Sequence, residues 1–159
     1  MIVVCNSSPI IALASVNRLD ILKKLFSEIL IPQAVYEEVF AIANKEIPKA
    51  DFIKVRKVKN KSLVKVLNLY LDVGESEVIA FALEKGIDRV ILDDKQARKI
   101  AEKQGLKVIG TLGILILAKE KSIVEEVRSL IIQMKKRINF RISQEVVNKV
   151  LSMLDEPLL

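Results

Sequence analysis

The chain has no histidine, no tryptophan and a single cysteine, Cys5. Without histidine, Ser-His-Asp and Cys-His activation of a nucleophile and His-ligated zinc are excluded. One cysteine permits no intrachain disulfide, no thiolate zinc cluster and no Cys-x-x-Cys redox pair. Cys5 reads instead as a small buried hydrophobe. Aromatic residues make up 4% of the chain, so its core must be built from Ile, Leu, Val and Ala. Charge is absent from Met1 to Asn17, but a basic leading region is missing too, and Asn6-Ser7-Ser8-Pro9 interrupts the run, so a signal peptide is not expected. The uncharged stretch Val108 to Ala118 is too short to cross a bilayer of about 30 Å as a helix. No Gly-rich phosphate loop follows a strand, since Gly110-Thr111-Leu112-Gly113 lacks the G-x-G-x-x-G pattern. Any catalysis is left to carboxylates, lysines, hydroxyls or a bound hard cation.

What is present is a chain of 159 residues, 51% hydrophobic and 29% charged, which suits one folded domain over 1–159. A core over about 1–120 and C-terminal helices over about 121–156 are expected, in a reducing cytoplasmic setting. Lys+Arg 26 against Asp+Glu 20 gives a net charge of +6, which tilts the expected partner towards a polyanion.

Short β-branched runs alternate with helical patterns. Ile2 to Cys5, Ile29 to Ile31, Arg89 to Leu92 and Lys107 to Ile109 read as buried strands, and Phe52 to Val58 alternates like an edge strand. Helices are expected after Ser8 to about Ser15, with Ser8 as N-cap and Pro9 first in the helix. Others are expected over Asn17–Phe26, Gln33–Ala43, Ser62–Leu71, Gly74–Lys85, Asp94–Gln104, Thr111–Lys119, Ile123–Arg137 and Ser143–Leu154. Asn44 to Asp51, with Pro48, reads as a loop. The pattern predicts a three-layer α/β/α fold with a mostly parallel central sheet. Ligands of such sheets sit outside the carboxyl ends of the strands.

Asn6, Asp93, Asp94 and Thr111 follow strands and should share that edge. Glu75 lines up with Ile79 and Ala82 on the core-facing stripe of its helix, with Glu77 and Glu84 on the opposite side. Glu38 flanks the stripe of Val35, Val39 and Ile42, while Glu37 points away. A carboxylate on a buried face costs several kcal/mol unless paired, hydrogen-bonded or metal-bound. Converging carboxylates without histidine therefore suggest a hard divalent ion such as Mg²⁺. Plainer roles stand beside this one. Asp72 and Glu75 have capping-box spacing, Asp93 with Gln96 fits a helix cap, Asp94 fits a solvated acid, Glu38 a surface residue, and Asn6 a bond to its own turn. Two basic blocks, Lys54 to Lys65 and Lys135 to Arg141, fit either nucleic-acid binding, with Phe140 stacking on a base, or edge-strand protection and a helix C-terminus.

In their order, these stretches resemble the PIN-domain family, within its short prokaryotic branch close to VapC-type toxin ribonucleases. The matching pieces are Val4-Cys5-Asn6-Ser7-Ser8-Pro9-Ile10-Ile11-Ala12-Leu13, Ile31-Pro32-Gln33-Ala34-Val35-Tyr36-Glu37-Glu38-Val39, Gly74-Glu75-Ser76-Glu77-Val78-Ile79-Ala80, Ile91-Leu92-Asp93-Asp94-Lys95 and Val108-Ile109-Gly110-Thr111-Leu112-Gly113. They cover roughly residues 2 to 118. The resemblance implies an endoribonuclease that uses Mg²⁺ or Mn²⁺, the toxin of a toxin–antitoxin pair. It places the acidic pocket on Glu38, Glu75 and Asp94, with Asp93 adjacent, and the first-strand position on Asn6. Two departures follow. Asn6 is an amide where the family carries an aspartate, and Glu75 stands where an aspartate is often found. RNA as substrate, a homodimer and an antitoxin protein are implied as partners, and no membrane. The rival expectations are a catalytically weakened or inactive PIN fold that binds RNA or a protein, and a small nucleotide-binding or receiver-like domain.

Overall fold

A computed structural model describes residues 1–43 and 50–159, with side chains described outside 41–49. The loop expected over Asn44 to Asp51 falls mostly outside the described residues.

The chain runs β1 (Ile2–Cys5), α1 (Ser7–Ser15), α2 (Asp20–Leu25), β2 (Glu28–Pro32), α3 (Gln33–Ala43) and β3 (Ile53–Arg56). It continues as α4 (Lys61–Leu67), α5 (Val73–Lys85), β4 (Arg89–Ile91), α6 (Lys95–Lys103) and β5 (Lys107–Ile109). The remaining helices are α7 (Thr111–Glu120), α8 (Val127–Ile138) and α9 (Gln144–Met153). All four strand pairings are parallel, in the order β3-β2-β1-β4-β5. Val3 sits opposite Ile29, Val4 opposite Val90, Ile31 opposite Val55 and Val90 opposite Val108. Helices flank the sheet in three α/β/α layers, and α5 lies against β1, β2 and β4. The chain builds outward from β1 on one side, then crosses to β4 on the other. The carboxyl ends of β1 and β4 therefore form the topological switch point, where such sheets open a crevice.

Local chemistry sets the element ends. Asp72 and Glu75 form a reciprocal capping box at the start of α5, and Gly86 closes that helix in the left-handed region at φ 67°. Asn17 adopts φ 56°, which stops α1 and delays α2 to Asp20 rather than Asn17. Asn6, not Ser8, is the N-cap residue of α1, so Pro9 lies third in the helix. Its missing N–H still falls among the first-turn amides that lack an intrahelical partner. The helix expected to reach Leu71 ends at Leu67, and the one expected from Ile123 starts at Val127. Among the described residues no helix is long and apolar enough to cross a membrane.

The core cluster extends from Val3 to Leu151 and is aliphatic apart from Cys5, Phe26, Phe81 and Met134. Cys5 lies within it, fully buried, and burial followed by the nearby Asp93 charge raises its thiol pKa well above the usual range. The C-terminal segment is pinned through Glu156, which is 9% exposed. Its carboxylate accepts from Lys119 Nζ at 2.6 Å and from the amides of Val127 and Arg128 at 3.0 and 2.8 Å. Burial pushes its pKa up, but the Lys119 ammonium and the two amides outweigh this and hold it below the ordinary value. The same amides open α8, which explains why that helix begins at Val127. Replacing Glu156 by Ala leaves a half-buried ammonium and two helix-end amides without an acceptor. Urea denaturation of Glu156→Ala is expected to show a loss of about 3 kcal/mol.

Candidate active site at the sheet switch point

Four segments converge on the carboxyl edge of the sheet. Asn6 follows β1, and its backbone N–H donates to Ile91 O at 3.0 Å, so the ends of β1 and β4 are stitched together there. Its side chain makes no capping bond, contrary to the local-turn role. The residue is 5% exposed, and its Oδ1 is buried without a hydrogen-bond partner. An unpartnered buried acceptor costs roughly 1–3 kcal/mol, so its retention calls for an explanation.

Glu38, on α3, is half-buried and accepts from the Ser7 hydroxyl at 2.6 Å. The N-terminus of α5 passes directly over it. A Cβ placed on Gly74 would lie 2.5 Å from Glu38 Oε1, so glycine at position 74 is what lets α5 approach. Glu75, the next residue, is also half-buried. It serves the capping box through Asp72 N at 3.3 Å, so the capping and cleft placements coexist. Its pKa is raised from 4.5 to about 7. Burial is the largest cause, followed by the charges of Asp72 and Asp94 and, after the opposing Asp72 amide bond, that of Glu38. Acids from α3, α5 and the β4–α6 junction thus lie within electrostatic reach of one another, and no cation figures among the groups that act on Glu75.

The two acids after β4 exchange the roles expected of them. Asp94, not Asp93, is the N-cap of α6, accepting from Ala97 N at 2.9 Å, and it is exposed. Asp93 turns towards β5. It accepts from the Thr111 amide at 2.7 Å, the Thr111 hydroxyl at 2.6 Å and the Ser8 hydroxyl at 3.2 Å. A Cβ on Gly110 would meet Asp93 Oδ1 at 2.9 Å and the Arg98 guanidinium at 3.2 Å. Asp93 therefore ties the start of α7 to the end of β4 and to α1. The residue three positions on did not decide the cap because Thr111 and Ser8, distant in the chain, take up the Asp93 carboxylate.

Glu77 corrects a second expectation. Rather than facing outward, it is 8% exposed, and its carboxylate accepts from the Ala34 amide at the start of α3 at 3.2 Å. Glu84, two turns further along the same face, acts likewise, accepting from Lys59 N and Asn60 N at 2.9 and 2.7 Å. Helix α5 is buried continuously from Ser76 to Ala82, so it has no solvent side for periodicity to reveal. Both carboxylates hold neighbouring backbone in place.

Two members of the basic blocks are held away from the cleft. Lys54 pairs with Glu28 at 3.6 Å along the sheet edge. Arg137 donates to Ser15 O at 2.6 Å, at the far end of α1 from Ser7. Phe140 is partly buried against the core and partly lines a surface pocket of about 560 Å³ with Lys135 and Arg141.

A hard divalent ion suits this donor set in charge and in chemistry. The unpartnered Asn6 Oδ1 and the mutual repulsion around Glu75 are both relieved by a cation accepting oxygen ligands. The side-chain positions are not yet those of a ligand shell. Among the described residues no three acidic side chains are grouped closely enough to hold one ion. Glu38, Glu75 and Asp94 are each turned to a local donor, Ser7, Asp72 N and Ala97 N respectively.

A family model described as DUF3368, a PIN domain, matches residues 2–156. The chain belongs to the PIN-domain family. PIN domains are generally nucleases and typically bind divalent metals, and the match spans every strand and helix that builds the cleft. No curated protein matches, and no solved structure matches.

A pH dependence follows from Glu75. The unfolded chain releases this proton near 4.5 and the folded chain near 7, so the folded state binds more protons between those values. Stability contributed by the protonated form is full below about pH 4.5 and is lost as pH rises through about 7. In EDTA, the urea midpoint of the protein is expected to fall between about pH 5 and pH 7.5. Glu75→Gln keeps an acceptor for the cap and is expected to flatten that slope.

Proposed function

We propose that this PIN domain is a metal-dependent endoribonuclease, the toxin member of a cytoplasmic toxin–antitoxin pair. The observation that carries the reading is the close approach of α5 to α3 at the sheet switch point, where only glycine at position 74 leaves room for the Glu38 carboxylate next to Glu75, with the buried Asn6 Oδ1 unpartnered at the same edge. RNA is the substrate, an antitoxin protein and a second copy of the chain are its partners, and the net charge of +6 suits a polyanionic substrate.

In this reading Glu38, Glu75 and Asp94 hold one or two Mg²⁺ or Mn²⁺ ions, and Asn6 Oδ1 and Asp93 stand beside them. A bound ion supplies Lewis acidity at a phosphoryl oxygen and a water of lowered pKa. The protein's own part is arrangement. Ser7 fixes the Glu38 carboxylate, while Thr111 and Ser8 fix Asp93, which leaves Asp93 better suited to orienting water than to direct ligation. The α5 cap holds Glu75 near Glu38, and Gly74 keeps the space between them clear. Lys and Arg side chains position the strand by its phosphates.

A second reading has a specific observation behind it. Asn6 lacks the charge of the family's first aspartate, and the acids are not grouped as an ion shell, which favours a weakened or inactive domain that binds RNA or protein.

Cleavage of a labelled RNA pool with Mg²⁺ or Mn²⁺ against EDTA separates the two. The nuclease reading predicts metal-dependent cleavage that Glu38→Gln and Asp94→Asn each reduce by about a hundredfold or more. Asparagine caps a helix as well as aspartate does, so Asp94→Asn removes charge while keeping the α6 cap. Cleavage undiminished in both variants would discard the assigned acids, and RNA binding without cleavage in the native protein would favour the second reading. Asn6→Asp is expected to tighten Mn²⁺ binding, as read by calorimetry.

A further inference from the structure

The turn between α4 and α5 leaves an unusual surface. Val66, Leu69, Tyr70 and Val73 are 56%, 76%, 61% and 50% exposed, in a chain whose other large apolar residues are mostly inside. Part of this surface forms one wall of a groove of about 400 Å³, with Val66, Leu67 and Tyr70 facing Ile100, Lys99 and Lys103 of α6. The two lysines are four residues apart and so stand one above the other on the same helical face. Among the described residues neither forms an ion pair, and the Tyr70 ring pairs with no other aromatic ring. Gln96, at the upper end of the groove, lies two residues beyond Asp94, and Tyr70 lies two residues before Asp72, the cap partner of Glu75. The groove therefore leads away from the acidic cleft.

We infer that this groove binds the single-stranded nucleic acid adjoining the scissile phosphate, one base stacking on Tyr70 and the backbone running along Lys99 and Lys103. The inference rests on the nuclease reading and names where its substrate lies. A flat aromatic ring beside unpaired ammonium groups is the arrangement that holds single strands without reading their sequence, since every base offers a π-face and every phosphate a charge. The acidic cleft repels a polyanion by itself, so cations must stand beside it. Lys99 and Lys103 of α6 line such a groove, while Lys54 and Arg137 are held by Glu28 and Ser15 O. Continuity with the cleft and the lysine charges favour a nucleic acid over an apolar protein partner.

The test is fluorescence anisotropy of a labelled oligouridylate of about eight nucleotides, a length within single-strand site sizes, in EDTA so that binding is read without cleavage. Tyr70→Ala is expected to weaken binding about tenfold, and Tyr70→Phe to retain it. Lys99→Ala combined with Lys103→Ala is expected to lower the slope of log affinity against log salt by about 1.4. Tyr70 is exposed, and an unchanged thermal midpoint confirms that its variants fold. Native-like binding by Tyr70→Ala with RNA cleavage intact would overturn the groove and leave the nuclease standing. Tyr70-dependent binding by a protein that never cleaves RNA would support the groove and remove the nuclease reading. If Tyr70→Ala instead changes only the sedimentation behaviour of the protein, the face is a protein interface and the inference fails.

Discussion

Glu38 reaches from α3 to the Ser7 hydroxyl at the head of α1, and α5 passes so close that a side chain at position 74 would collide with the carboxylate. Three helices meet at this one charge. The contact fixes where α5 begins, and with it Glu75 and the cap that opens the helix. It also sets the electrostatic character of the cleft, because the acid it brings up to Glu75 adds to the charges of Asp72 and Asp94. A protein that needed only a stable helix junction would have no reason to gather like charges here. Repulsion that folding maintains is a resource when a cation is to be recruited.

Buried polar side chains of the chain differ in what holds them. Glu77, Glu84 and Glu156 each accept from backbone amides of a neighbouring segment, although Glu84 keeps its second oxygen unpartnered. Asn6 differs in that its one side-chain acceptor has no hydrogen-bond partner. That open oxygen lies at the switch point, where a ligand is expected in a parallel sheet. PIN domains, the family to which the chain belongs, typically bind divalent metals.

Much of this was legible in the residues. The strands announced themselves as β-branched runs, and their alternation with helices implied the parallel sheet and hence the edge where Asn6, Asp93 and Thr111 meet. Glu38 was separable from Glu37 because α3 has a buried and an exposed side. The same method failed on α5, which is enclosed nearly all round, so a stripe through Glu75 did not mark Glu77 as outward. It failed again after β4, where Asp93 is drawn to Thr111 and Ser8 and leaves the α6 cap to Asp94. The Asp93–Thr111 contact joins residues 18 apart, and its donors are visible only once β4 and β5 are paired. The exposed stripe at Val66, Leu69, Tyr70 and Val73 has the i, i+3, i+4, i+7 spacing of a core-facing helix side. In the sequence those residues look like core, and only the packing shows that they are not.

If separated oxygens at the switch point share a divalent cation, anomalous scattering from crystals soaked in Mn²⁺ will reveal it. A manganese peak is expected at the carboxyl ends of β1 and β4, with Glu38 and Asp94 turned from Ser7 and Ala97 onto the ion. A map with no peak there at saturating Mn²⁺, or with those carboxylates still on their local donors, would contradict a shared cation.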